Sequence, residues 1–404
     1  MRVNNGKLYW QDKSKINKIY PYLTHDVKTD ILVIGGGISG ALTTYFLAKE
    51  GANVAVLEKN IIGYGNTIAD SATLEYDIKL DINKFEKIIG VDPAKRIYNL
   101  FKNAIDKIES INSELSCDTS FSRQDNIFFT NSFFKKGNIL KNYQLRKDIG
   151  FDTAYIDSHS LVNLNSGVLS KSASAVLNPY LFTQALFEYL DKFDNVHIYE
   201  NTNIEDIKCG SFDVECRTNN NFKVCADRVI FASGIDTLKY ISNTPAELYK
   251  TFTIVSKPIE KLRNFNTNFI AKDSMEPYHI LRFTPNKRVI YKGEDIKFTD
   301  KFRDEKYLEN VSGDKYKKLY TNLQKTLYGI DEIPIQYAFS STVANTKDDL
   351  PIIDEIPNMP NCFCNLGFGT NGIVYSLVGA DMLRNAVKGL YTKDMNMFRI
   401  QRWY

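Results

Sequence analysis

The sequence predicts an α/β protein in which helices wind a central parallel sheet and a second, α+β domain carries a mixed or antiparallel sheet. Three observations predict it. Two apolar strands flank a helix within residues 30–58, another buried-strand run recurs at 229–232, and from 251 to about 299 the pattern turns β-rich with tight turns.

The first unit is the most specific. Ile31, Leu32, Val33 and Ile34 form an unbroken apolar run, as a parallel strand buried on both faces requires. Gly35, Gly37 and Gly40 follow in a G-x-G-x-x-G pattern. Residues 41–50 read as helix, with Leu42, Tyr45, Phe46 and Leu47 on one side and Gly51 as the stop. A second strand spans 54–57 and ends at Glu58. In such a unit Gly35 permits the tight turn, Gly37 lets a pyrophosphate approach the backbone, and Gly40 lets helix and strand pack closely. The helix N-terminus offers free N–H groups and a positive dipole end. Glu58, 21 positions beyond Gly37, stands where a carboxylate grips a ribose 2′-OH. Strand, helix and spaced acid together predict a bound dinucleotide with a free ribose hydroxyl, as in NAD or FAD.

At 404 residues the chain is long enough for two domains. Its beginning reads as a polar lead-in, with Tyr9-Trp10 as an anchor. Residues 61–77 are rich in turn-formers and leave the second strand where a loop passes a cofactor. Residues 81–115 read as helix broken near Pro93, 127–129 as a strand, and 133–149 as a helix stopped by Gly150. Asn178-Pro179 supplies a cap and first-turn proline for a helix over 180–193. Short strands follow at 196–199, 212–216 and 222–224, with Asn219-Asn220-Asn221 as a hairpin turn, and Ser233-Gly234 ends the run at 229–232. Residues 253–255, 279–283 and 289–291 suggest an antiparallel sheet, and 303–330 a charged, solvated helix. A strand at 363–366 then leads through the glycine-rich turn at 367–372 into a helix over about 373–387, a second anion site for the far end of one large cofactor.

Several classes are excluded. The 51 basic and 48 acidic residues are interspersed, without the basic block of a nucleic-acid partner. No run reaches the ~18 apolar residues of a membrane span. Six cysteines without a C-x-x-C pair and four scattered histidines argue against a metal site or disulfide framework. The cytoplasm is the default compartment.

The succession of 35–58, 63–76, 172–179, 229–234, 339–354 and 367–372 resembles the D-amino acid oxidase family of FAD-dependent oxidoreductases, which includes glycine, sarcosine and γ-glutamylputrescine oxidases. The resemblance spans nearly the whole chain. It implies a discontinuous, Rossmann-like FAD-binding domain (28–90, 160–243 and 340–404), a substrate domain (91–159 and 244–339) and a lead-in at 1–27. By position it implies that Gly35, Gly37, Gly40 and Glu58 hold the ADP half of FAD, with Ile38, Ser39 and Lys59 also binding the cofactor. Gly65, Asn66 and Thr67 would lie by the pyrophosphate and flavin, Gly369, Asn371, Gly372 and Ile373 would meet the ring end, and Ala232 and Gly234 would also bind the cofactor.

Two departures stand out. Asp349 and Asp354 replace glycines of the family's C-terminal signature, and no arginine occurs near 340–345 to pair with a substrate carboxylate. Arg282, with Tyr278 beside it, is the expected replacement, since bidentate pairing needs a guanidinium. Lys292 would promote oxygen reactivity if it pointed at flavin N5, although a solvated position on the opposite strand face is the expectation the sequence favours. The implied reaction is oxidation of a C–N bond in a small amine or amino acid. Hydride passes to flavin N5, water hydrolyses the imine, and oxygen or an electron carrier is the acceptor. The alternatives are an FAD-binding partner subunit or binding module without amine oxidase activity, and an NAD-linked dehydrogenase.

Overall fold

A computed structural model describes residues 3–14, 18–78, 82–241, 246–367 and 369–403. The expected helix start at residue 81 and the expected domain boundary at 243–244 lie outside them. Among the described residues the strands form one sheet of eight and one of ten.

The eight-stranded sheet grows from the glycine-rich unit. The strand Val27–Ile34 runs parallel to Val54–Leu57 on one side and to Lys223–Phe231 on the other. Val196–Tyr199 and Cys362–Leu366 extend the parallel set, and Ile352–Glu355 closes one edge antiparallel. Leu32 and Val33 are fully buried, as their apolar run demands. Helix Ile38–Lys49 packs against helices Pro179–Leu190 and Gly372–Ala386. The Asn178 side chain accepts from the Leu181 N–H at 3.0 Å, with Pro179 in the first turn, so the expected cap is present. The runs at 222–224 and 229–232 belong to one strand, Lys223–Phe231. It pairs antiparallel with Val214–Thr218 while also joining the parallel sheet.

The ten-stranded sheet is mixed. Its order is Asn4–Gly6, Ile335–Thr346, Ala246–Ser256, Val289–Lys297, Ile280–Phe283, Phe269–Asp273, Ser122–Thr130, Ser166–Val176 and Thr73–Glu75, with Thr153–Ile156 also on Ser166–Val176. Phe269–Asp273 and Ser122–Thr130 run parallel, whereas the other neighbours are antiparallel. One face carries Phe252, Ile254, Leu281 and Tyr291 into a core shared with helix Glu305–Thr326. That helix is therefore not a wholly solvated surface. Leu319 and Leu323, four residues apart, are fully buried on its inner side.

Two other expectations change. The helical stretch after residue 81 breaks at Gly90 (φ +92°) into Ile82–Ile89 and Val91–Glu114. Pro93 sits in the first turn of the second helix, where a missing N–H costs nothing. The lead-in is structural. Asn4–Gly6 adds an edge strand beside Ile335–Thr346, and the short helix Tyr9–Lys13 buries Tyr9 and Trp10.

Candidate cofactor and substrate site

A cavity of about 880 Å³ lies between the two sheets, with Gly35, Gly37, Glu58, Ala232, Gly234 and Gly369 among its lining residues. The glycine motif forms one wall for steric reasons. At Gly35 (φ +117°) a Cβ would stand 2.6 Å from the Ala232 carbonyl oxygen. At Gly40 it would stand 1.8 Å from the Gly35 carbonyl oxygen, so this residue does not line the cavity but sets how closely helix Ile38–Lys49 meets its strand. Gly36, which the motif leaves unspecified, is equally constrained: a Cβ there would meet Ile62 Cδ1 at 2.4 Å.

Ile38 and Ser39 line the cavity, but the Ile38 N–H already donates to Thr67 Oγ1 at 3.1 Å. Thr67 thus fixes the loop Gly65–Asn66–Thr67 against the helix start. Asn66 Nδ2 donates to the Thr342 carbonyl at 2.7 Å, leaving its buried Oδ1 without a partner. Glu58 is almost enclosed. Its carboxylate accepts from the Gly36 N–H at 2.7 Å and the Asn60 N–H at 2.8 Å, and burial raises its pKa against those two bonds. Lys59 pairs with Asp236 at the rim.

At the other end Gly369 and Gly372 line the cavity, whereas Asn371 and Ile373 do not. Asn371 accepts from the Glu75 N–H and donates to the carbonyls of Glu75 and Asp77, clamping that strand. Ile373 is buried in the core. Both stand behind the glycine-rich turn rather than in the cavity wall. The Gly367 turn is tight, since a Cβ would stand 2.6 Å from the Gly372 carbonyl oxygen.

Lys292 reverses the sequence-based preference. Its side chain is 4% exposed and lines the cavity, and among the described residues its ammonium has no hydrogen bond or ion pair. Asp70 is the carboxylate it influences. Burial pushes the Asp70 carboxyl up, while Lys292, the Ala72 N–H and Arg282 draw it down. Trp10 donates to the Asp70 carbonyl at 2.7 Å, so the N-terminal segment braces this end.

Arg282 is corrected in the other direction. It is buried outside both cavities, and its guanidinium donates to the carbonyls of Ser71 (2.7 Å), Ala72 (2.7 Å) and Leu177 (3.3 Å) beneath Trp10. Burial lowers its pKa to about 10. It holds backbone together and lines neither cavity.

Tyr278 lies on the wall of a second cavity of about 1140 Å³, with Asp77, Phe128, Arg146 and Lys272. The two cavities adjoin along one strand: Val343 and Ala344 line the first, Asn345 and Thr346 the second. Of the aspartates at glycine positions, Asp349 has φ +58°, a conformation that favours glycine. Asp354 is buried and accepts from Arg399 Nε and the Ile400 N–H, tying down the C-terminal segment. Cys362 and Cys364 are buried strand residues away from the cavity, and burial pushes the Cys364 thiol up to about 12. Among the described residues no group of three or more potential ligands could hold a metal ion, and no helix is long and apolar enough to cross a membrane.

Sequence reasoning missed Gly36, Asp70 and Lys272, and the anchor it expected at Trp10 is the side chain that braces Asp70. Only the triple glycine carried a readable signal for any of them.

The family model described as FAD dependent oxidoreductase (DAO) matches residues 30–386. A Bacillus subtilis (strain 168) protein, YhfW, which carries the name of a Rieske 2Fe-2S iron-sulfur protein, is 24% identical over 399 residues, covering 98% of this chain and 75% of its own. Among solved structures, glycine oxidase from Geobacillus kaustophilus superposes with a TM-score of 0.77 at 18% identity, over 94% of this chain and 99% of that one. L-proline dehydrogenase from P. horikoshii gives 0.74 at 19% identity, over 94% and 98%. These likenesses establish the fold.

Proposed function

The chain belongs to the FAD dependent oxidoreductase family, and from that premise we propose that it oxidises a carbon–nitrogen bond of a small amine or amino acid. Relatives named for glycine, proline and γ-glutamylputrescine substrates support that class. The observation that carries the reading is the junction of the two cavities, where the ring end of a dinucleotide cavity meets a separate chamber along the strand Ile335–Thr346.

The residues present fit FAD. The glycine wall is tight at Gly35, where a Cβ would meet backbone, Asn66 Oδ1 is an orphaned acceptor, and Lys292 is a buried cation on the cavity wall. Gly35, Gly37 and Ser39 would present backbone to the pyrophosphate, and Glu58 would take the ribose hydroxyls. Ala232, Gly234 and the loop Gly65–Thr67 would flank the molecule, with Gly369 and Gly372 at the ring. When bound, FAD supplies the two-electron acceptor for the oxidation. Lys292 places a positive charge at that end, and Asp70 keeps it from being an isolated buried cation. Tyr278 gives the second chamber an aromatic wall that excludes water from a bound amine. The family match sets the NAD-linked alternative aside.

The test is an anaerobic screen of amines and D-, L- and N-methyl amino acids against the purified flavoprotein, read as loss of flavin absorbance. At least one compound should bleach it. If none does while dithionite does, the carbon–nitrogen reading is wrong. Reoxidation by oxygen compared with an artificial carrier then separates oxidase from dehydrogenase.

A further inference from the structure

The family match begins at residue 30, yet the first cavity is also walled by residues that precede it. Val3, Asn4, Gly6, Leu8 and Gln11 line it, and the dinucleotide motif accounts for none of them. The segment that carries them is fastened along its length. The Thr342 N–H donates to the Val3 carbonyl at 2.7 Å and the Lys7 N–H to the Ala338 carbonyl at 3.1 Å, so Asn4–Gly6 lies as an edge strand on Ile335–Thr346. Gly6 (φ +92°) permits this approach, because a Cβ there would stand 2.4 Å from the Ala338 carbonyl oxygen. Trp10 is buried, with its Nε1–H on the Asp70 carbonyl at 2.7 Å and the Arg282 guanidinium 5.5 Å from its ring centre. Ser14 Oγ accepts from Asn178 Nδ2 at 2.8 Å, at the cap of helix Pro179–Leu190.

These contacts close a circuit around the loop Gly65–Asn66–Thr67. Asn4 Nδ2 donates to the Gly65 carbonyl at 3.0 Å, and Asn66 Nδ2 donates to the carbonyl of Thr342, the residue whose N–H holds Val3. Segment, loop and strand are thus bonded to one another, and each contributes residues to the cavity wall. The glycine wall belongs to the eight-stranded sheet and this segment to the edge of the ten-stranded one, so the cavity is bounded from both. We propose that residues 3–14 are a strap that retains FAD: Asn4 and Gln11 are further cofactor-binding side chains, and the cofactor leaves only when the edge strand peels from Ile335–Thr346. Two amide side chains, each both donor and acceptor, suit the carbonyl, N–H and hydroxyl groups of the flavin half better than the pyrophosphate, which asks for donors alone. A three-residue strand paired on one side only is the part of this wall that opens at least cost. The strap rests on FAD occupying the first cavity, and not on the oxidation proposed above.

FAD release would be followed as the rise of flavin fluorescence on diluting the holoenzyme, in wild type, Gly6→Val, Asn4→Ala, Gln11→Ala and Lys18→Ala. Amide hydrogen exchange of residues 3–14 would be measured in the wild-type holoenzyme with and without excess FAD. Gly6→Val forces the edge strand away and should speed release about ten-fold, whereas Asn4→Ala and Gln11→Ala, which leave the strand paired, should speed it about three-fold each. Lys18→Ala breaks only an exposed ion pair with Asp191 beyond the strap and should leave release unchanged. Excess FAD should slow exchange of the strap amides. Release unchanged in Gly6→Val or in both side-chain variants, equal acceleration in Lys18→Ala, or strap exchange indifferent to FAD would each overturn the strap and leave the segment a structural edge. If Gly6→Val does not fold, the side-chain variants and the exchange measurement decide. Strap-dependent release from a flavoprotein that no amine bleaches would sink the oxidation and keep the strap. Bleaching by an amine, with release indifferent to all the strap variants, would do the reverse.

Discussion

The two cavities share a strand yet are walled by different materials. The first is bounded at its glycine-rich end by backbone: Gly35, where a Cβ would stand 2.6 Å from the Ala232 carbonyl oxygen, and Gly37, where it would stand 3.2 Å from Thr67 Oγ1, with the start of helix Ile38–Lys49 beside them. The second is bounded by long side chains, among them Arg146, Lys272 and Tyr278, contributed by elements far apart in sequence. A backbone wall is damaged by adding atoms and a side-chain wall by removing them. A backbone wall can also accept any dinucleotide of the right shape, whereas a side-chain wall selects by charge. On the function proposed above, cofactor binding and substrate choice would thereby be separated along the strand Ile335–Thr346.

The largest effect should come from removing a side chain on the second wall. Arg146 and Asp77, both nearly inaccessible, form an ion pair at 2.9 Å, and Arg146 also donates to the Tyr76 hydroxyl. Arg146→Met would strand the buried carboxylate and lower stability by about 3–5 kcal/mol, measurable as a drop in the urea midpoint. An unchanged midpoint would mean that this wall does not depend on its charges. Next comes Lys292, the side chain that crosses into the backbone-walled cavity. Lys292→Met should leave the flavin spectrum in place but cut turnover about 10²–10³-fold, as losing one preorganised charge does elsewhere. Steady-state kcat beside a flavin-to-protein absorbance ratio checks both halves. Full activity would remove Lys292 from the site.

The first wall should fail in the opposite way. Gly40→Ala puts a methyl group 1.8 Å from the Gly35 carbonyl oxygen, backbone that cannot step aside without moving the helix. The expected cost is about 3 kcal/mol of stability, together with loss of bound flavin, so the preparation should be colourless. A yellow protein with unaltered Tm would show that the helix can shift freely and that backbone contact does not define this wall.

That same difference explains what could be read from the sequence. Glycine positions and the spacing to Glu58 are local, and a Cβ clash follows from chain geometry alone, so the cradle is legible in the residue order itself. The apolar parallel strands are legible for the same reason. Thr73–Glu75 and Ser166–Val176 are not, because they are polar strands whose partners lie far along the chain. Arg282 shows the limit most clearly: strand and orientation suggest a substrate clamp, but its three carbonyl acceptors come from residues 71, 72 and 177, which no local pattern connects to it.

The smallest effect concerns the turn that carries Tyr278 into the second cavity. Asp273 closes this turn: its carboxylate accepts from the backbone N–H groups of Met275 (3.1 Å) and His279 (2.9 Å), and contacts His279 Nδ1 at 2.8 Å. On the far side of the ring are Glu294 Oε1 at 3.4 Å and Asn322 at 3.2 Å, with Lys315 paired to Glu294 and Tyr291 stacked on the imidazole. Burial disfavours the charged imidazole, but the hydrogen bonds and charges of Asp273 and Glu294 outweigh it, so the His279 pKa is raised. A pKa above the unfolded value of about 6.5 means that the folded state holds the proton more tightly. The resulting stability is complete below pH about 6.5 and is lost as pH rises through the folded pKa. His279→Gln should therefore cost most at pH about 5.5, of the order of 1.5 kcal/mol for bonds to a charged group. The difference in urea midpoint from wild type should narrow as pH increases. A difference that widens with pH would mean that the imidazole is neutral in the fold and that Asp273 closes the turn through its backbone bonds alone.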